Sequence, residues 1–193
     1  MIAPLPLFLL ARHSVEEPRL AARFVLNQGL SLVESQLALG LMSVLSTLVA
    51  VIAVRVPGLP LEPMVQQAMA QPGMLAVLNF VILNLTSAAI WFGGRLFGGQ
   101  GDLAGSIILT AWLQAVLLIP QVGQVAAMLL LPSVVPMIAL LELVLIGWLI
   151  SHFTAELHGF AAVWQVFFGL IGGLVVLSFA LALVIVAVIG KGV

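Results

Sequence analysis

Residues 36–54 read QLALGLMSVLSTLVAVIAV, nineteen positions without a charged side chain. An α-helix rises about 1.5 Å per residue and the hydrocarbon of a bilayer is about 30 Å thick, so about 20 apolar residues are needed to cross it. This run meets that length, between Glu34 on one side and Arg55 and Pro57 on the other. It predicts a membrane-spanning helix. The pattern recurs at 75–92, 103–120, 134–153 and 163–189. The expected fold is therefore an all-α membrane protein, a polytopic bundle of five transmembrane helices, whose last span is longer than the bilayer requires and free to tilt.

Composition agrees with that solvent. Of 193 residues, 63% are hydrophobic and 7% charged, against about 25% charged in an ordinary soluble domain. The net charge of −1 argues against nucleic acid as a partner, because such proteins cluster Lys and Arg to replace phosphate counterions. Without cysteine there is no disulfide framework, thiolate metal site or thiol nucleophile.

The chain divides into an N-terminal cytoplasmic or interfacial segment, 1–30, and a transmembrane domain, 31–190. Met1–Leu10 is apolar but lacks a basic leader and carries Pro4 and Pro6, so no cleavable signal is expected. Ser14 and Glu17 have capping-box spacing, Pro18 suits a first helical turn and Gly29 a helix end. The short helix so predicted is amphipathic. It carries Leu20, Ala21, Phe24 and Val25 on one face and Arg19 and Arg23 on the other, with Arg12 just before it. That layout predicts a helix at the membrane surface whose arginines meet anionic headgroups, as a sensor or as an anchor.

Between the spans, 55–73 holds Pro57, Pro60, Pro63 and Pro72 and reads as a loop. The turn at 93–102 is short enough to make the second and third spans antiparallel neighbours. Residues 121–132 are apolar but too short to cross, and read as a connector at the interface. Arg12, Arg19, Arg23 and Arg95 then fall on one side against Arg55 and Lys191 on the other, which predicts a cytoplasmic N-terminus and an external C-terminus.

Within the spans the polar residues are Asn79, Asn84, Gln114 and Glu142. Glu142 falls near the centre of 134–153, where a carboxylate costs several kcal/mol unless neutralised or paired. A buried polar cluster of Asn84, Gln114 and Glu142 is therefore expected, serving as a proton or cation relay or as interhelical hydrogen bonding worth about 0.6–2 kcal/mol. The Asn84-Leu85-Thr86 sequon lies too deep for glycosylation. Gly169 and Gly173 have the spacing of a close helix contact.

Gly98, Gly99 and Gly101 lack the Lys-Ser or Lys-Thr of a phosphate-binding loop; they suit a chain reversal needing positive φ. His152, Glu156 and His158 lie within seven residues, a poor geometry for one metal, so a solvated helix end is expected. The chain has no HExxH or Ser-His-Asp grouping. No cofactor, metal or catalytic residue is expected, and the protein reads as non-enzymatic.

Two segments carry a family resemblance: Arg95-Leu96-Phe97-Gly98-Gly99-Gln100-Gly101 and Ala155-Glu156-Leu157-His158-Gly159-Phe160. With the span layout over about 12–190 they resemble the bacterial branch of the Yip family, the Rab- or Ypt-interacting integral membrane proteins. The resemblance implies a five-helix bundle in the bacterial inner membrane with its N-terminus in the cytoplasm. Eukaryotic members act in vesicle traffic with prenylated Rab GTPases; their long N-terminal domain is missing here, and a bacterium has no Rab partner. The expected role is the organisation of membrane lipids, a membrane-protein partner or a homo-oligomer. The working surface would be formed by Arg95, Gly98, Gly99, Gly101, Glu156 and His158. The alternative is a small transporter or channel component around Glu142.

Overall fold

The computed structural model describes residues 7–56, 67, 69–173, 175 and 179. Every regular element among the described residues is helical: α1 Leu7–Glu16, α2 Pro18–Leu26, α3 Leu32–Val54, α4 Pro72–Leu96, α5 Leu103–Leu130, a 3-10 turn Pro132–Val134, α6 Val135–His158 and α7 Val163–Gly173. Four of them, α3, α4, α5 and α6 with its preceding turn, are long and apolar enough to cross a bilayer. The expected fifth span is helical over Val163–Gly173 and otherwise falls largely outside the described residues, as does most of the expected loop 55–73.

The helix ends follow local chemistry. Ser31 and Glu34 form a reciprocal capping box at the start of α3: the Ser31 hydroxyl accepts from the Glu34 N–H at 3.3 Å and the Glu34 carboxylate from the Ser31 N–H at 2.7 Å. The span thus begins at Leu32, with Glu34 in its first turn instead of bounding it. Asp102 caps α5 by accepting from the Gly105 N–H at 3.1 Å. Gly159, at φ +73, closes α6. The N–H groups of Gly159 and Phe160 reach back to the Glu156 and Ala155 carbonyls, satisfying orphan acceptors of the last turn. The capping box expected at Ser14 and Glu17 does not form. Ser14 lies inside α1 and bonds the Leu10 carbonyl, and the chain breaks at Glu17 because Pro18 starts α2 without an N–H to give.

Two spans run on past their expected ends. The helix predicted to stop at Pro120 continues to Leu130, 28 residues or about 42 Å. Residues 121–130 therefore continue the helix instead of forming a separate connector. An intramembrane proline is tolerated where neighbouring groups re-satisfy the freed backbone. Likewise α6 carries on through the polar stretch 151–158. Glu142 is consequently off-centre: 142 − 135 = 7 residues from one end of α6 and 158 − 142 = 16 from the other, about 10 Å and 24 Å along the axis.

α5 is the axis of the bundle. Half of its most apolar window is buried, against 22% for α3, 11% for α4 and 6% for α6. One face gives Ile107 and Ala111 to a core with Leu39 and Leu83. The other gives Leu109, Leu113, Val116 and Leu117 to a core with Leu149 and Phe153 of α6 and Ala21, Ala22 and Val25 of α2. α3 meets its neighbours through Ser35, Leu39, Ser43, Thr47 and Val51, one residue per turn, and these mostly small side chains allow close approach without a hydrophobic drive. The hydroxyl of Ser43 donates to the Ala76 carbonyl at 2.7 Å and that of Ser106 to the Ser87 carbonyl at 2.6 Å, tying α3 to α4 and α4 to α5. The exterior remains apolar: Leu140, Leu141, Leu143 and Val144 of α6 are 63–66% exposed. An outer surface of this kind suits acyl chains, consistent with an integral membrane protein.

Candidate functional site

The two segments that carry the family resemblance meet at one end of the bundle. α4 ends at Leu96, and Gly98, at φ +83, turns the chain towards α5. The conformation suits glycine because a Cβ there crowds the backbone. Gly94, Gly99 and Gly101 serve a different purpose, since each faces the ring or Cβ of His158 at the end of α6. A Cβ on Gly99 would lie 2.5 Å from the His158 Cβ, and one on Gly101 2.8 Å from Nδ1. Glycine leaves the socket that imidazole fills.

His158 is 3% exposed, so the solvated helix end expected there is a packed one. Its neighbours fix the tautomer. The Gly101 N–H donates to Nδ1 at 3.1 Å, so Nδ1 bears no proton, and Nε2–H donates to the Ile90 carbonyl at 3.1 Å. The neutral ring thus joins the end of α4, the following turn and the end of α6. Gln100 adds an N–H to the His158 carbonyl, and the Phe160 ring stacks at 5.6 Å.

Two residues earlier, Glu156 faces α2. Its Oε1 accepts from Arg23 Nε at 2.7 Å, while Arg19 Nε stands 3.9 Å from Oε2 and another Arg19 nitrogen donates to the Phe160 carbonyl. Hydrogen bonding and then charge from Glu156 hold the Arg23 guanidinium above its ordinary pKa. Arg12 pairs with Glu16 at 2.8 Å on the exposed side of α1. Ala21, Ala22 and Val25 of α2 are buried against α5 and α6, whereas Leu20, expected on the same apolar face, is 55% exposed, and two of the arginines expected at headgroups are turned towards Glu156. Arg19 and Arg23 against the single Glu156 leave one positive charge over, and the exposed Arg95 has its guanidinium over the Trp91 ring at 5.6 Å. Leu96 and Phe97 are 67% and 77% exposed at the same end. Glu17 and Asp102 are exposed there too, so the surface carries charges of both signs among apolar side chains, and of the six motif residues expected on it His158 and Gly101 are buried.

The polar residues within the spans do not form the expected cluster. Asn84 accepts from Gln36 at 2.7 Å, and Gln114 donates to Ser46 at 3.4 Å. Glu142 meets neither: its two carboxyl oxygens accept from Gln121 at 3.1 Å and Gln124 at 2.6 Å. Those partners sit three apart on the stretch of α5 beyond Pro120, and that i, i+3 pair within an apolar run is the sequence signal for them. A Cβ added at Gly169 or Gly173 would meet nothing within 4 Å, so neither glycine makes a close helix contact among the described residues. His152 bonds the Trp148 carbonyl at 2.7 Å, away from His158.

The fold defines a polytopic helical protein of membrane type. No protein-family model, no curated protein and no solved structure matches the chain.

Proposed function

We propose that the protein is a non-enzymatic integral membrane protein of the Yip type that organises lipid or protein partners at the cytoplasmic face. In this reading the N-terminus is cytoplasmic, the membrane is the bacterial inner membrane, and 163–189 completes a fifth span. The observation that supports it is the interlock of the two resemblance segments around His158, with Glu156 carrying α2 onto the same end. Three regions distant in sequence thereby become one rigid platform displaying Arg95, Phe97 and the Arg19–Arg23 pair. α2 serves as a collar at the membrane surface, with Ala21, Ala22 and Val25 on protein and the exposed Leu20 available to lipid.

The test compares wild type with the double variant R95A/E156Q. Each is isolated from native membrane in lipid-preserving polymer discs, and the co-isolated lipids and proteins are identified by mass spectrometry. The expected result is a defined lipid or protein complement that the variant loses while remaining inserted. An unchanged complement overturns the proposal.

A small transporter or channel component is a second reading, favoured by one observation: Glu142 is held by two glutamines inside an apolar bundle. Proton-coupled flux in liposomes that disappears in E142Q would support it.

A further inference from the structure

At the end of the bundle away from His158, the second half of α3, the first half of α4 and the second half of α5 flank a cavity of about 560 Å³. That lies within the range of about 300–1,000 Å³ typical of small-molecule sites. Four side-chain amides line it, those of Asn79, Gln114, Gln121 and Gln124. The orientation of each follows from what its nitrogen faces. Asn79 donates to the Ser43 carbonyl at 3.3 Å, and a carbonyl only accepts. Gln114 donates to the Ser46 oxygen, whose own proton is given to the Met42 carbonyl. Gln121 and Gln124 donate to Glu142.

Each of the four amides therefore gives one of its two N–H groups to the protein and turns its oxygen away from that bond. Their oxygens have no hydrogen-bond donor among the described residues. The wall offers four acceptor oxygens alongside the second N–H of each amide, and behind two of the amides the Glu142 carboxylate adds negative potential. No Lys, Arg or His is among the described residues lining it, while Val49, Ala50, Ile82 and Met128 make much of the remainder apolar. An anion would meet the Glu142 charge behind the wall and no cationic side chain among the described lining residues. A bare metal ion would leave most of the volume and the apolar wall unused. The complementary ligand has N–H donors, a positive charge and a hydrocarbon body.

We propose that this cavity binds an amphipathic primary ammonium compound, with its N–H groups on the amide oxygens and its hydrocarbon along α3 and α4. Two sources share that chemistry, a water-borne alkylamine and a lipid with an ethanolamine headgroup. The inference stands apart from the platform at the other end and requires no transport.

The experiment uses the full-length protein in phosphatidylcholine nanodiscs, titrated calorimetrically with hexylammonium. Hexyltrimethylammonium, which has the charge without N–H donors, and hexanol, which has a donor without charge, are the comparators. Saturable binding of hexylammonium is expected, about tenfold or more tighter than either, because unpaired acceptors penalise a ligand that cannot donate. E142Q, shown to be folded by near-ultraviolet circular dichroism, should weaken it about tenfold through loss of the carboxylate charge. Competition when phosphatidylethanolamine replaces phosphatidylcholine assigns the site to the lipid headgroup, and unchanged affinity assigns it to a water-borne amine. Equal affinity for the three ligands, no saturable binding to wild type, or wild-type affinity in folded E142Q overturns the proposal. The ligand comparison is made on wild type, so it stands even where a variant fails to fold.

Discussion

The imidazole of His158 occupies the space that a side chain on Gly94 would need: an added Cβ would fall on Nε2, Cδ2 and Cε1 together. Sixty-four positions separate the two residues, yet each sets what the other can be. G94A should destabilise the protein by about 1–3 kcal/mol, the usual cost of overpacking a fitted site. H158A should cost about 1–3 kcal/mol for the polar groups left unpaired on Gly101 and Ile90. In the double variant the first cost should largely vanish, giving a coupling of at least about 1 kcal/mol in a double-mutant cycle. Thermal unfolding in detergent checks this. G98A should cost about 1–2 kcal/mol through its left-handed backbone, with no rescue by H158A.

Glu156 holds α2 to the bundle through charge. E156Q should raise hydrogen exchange across Pro18–Leu26 while leaving α3 unaffected, and added salt should act on wild type in the same direction. Exchange mass spectrometry in nanodiscs reads both. If α2 stays as protected in E156Q as in wild type, apolar packing of Ala21, Ala22 and Val25 alone holds it.

Ser43 bonds α3 directly to the backbone of α4. S43A should cost about 0.6 kcal/mol, the mean for an interhelical hydrogen bond inside a membrane. S43V should cost about 1–3 kcal/mol more, since the residue is 1% exposed and the added methyls have no space. Unfolding of both variants by steric trapping distinguishes a bonding role from a spacing role.

Trp112 on α5 gives its indole N–H to the Ser14 hydroxyl at 2.9 Å, across 98 positions. S14A should shift Trp112 emission and loosen α1. The single-tryptophan protein, with Trp91, Trp148 and Trp164 replaced by Phe, isolates that signal. Identical spectra for S14A and its parent would mean that α1 is held without this bond.

The four long helices are legible in the sequence because lipid imposes one rule, an apolar run of sufficient length, and nothing in the runs 36–54 or 75–92 competes with it. Helix ends are less legible. Pro120 removes one backbone N–H without by itself ending a helix inside a bundle, and α5 passes through it. Ser14 and Ser31 each begin an S-x-x-E pattern, but only Ser31 precedes a helix; Pro18 places the break after Ser14. The site is legible as two segments and not as a joint. Glycines 94, 99 and 101 read as turn formers until the residue filling their space is known, and His158 lies 57 positions beyond Gly101. Glu142 stands out as costly from its type and place alone, whereas its partners become visible only once α5 is known to extend past Gln121.

α5 has a core on each side, and the two cores are completed at different times in synthesis. The chain made before it, α1 to α4, supplies one side and part of the other, whereas Leu149 and Phe153 emerge last. Until α6 has been made and inserted, α5 keeps one flank without its protein partner. The keystone of this assembly is laid before the stone that locks its second flank, the fourth long helix.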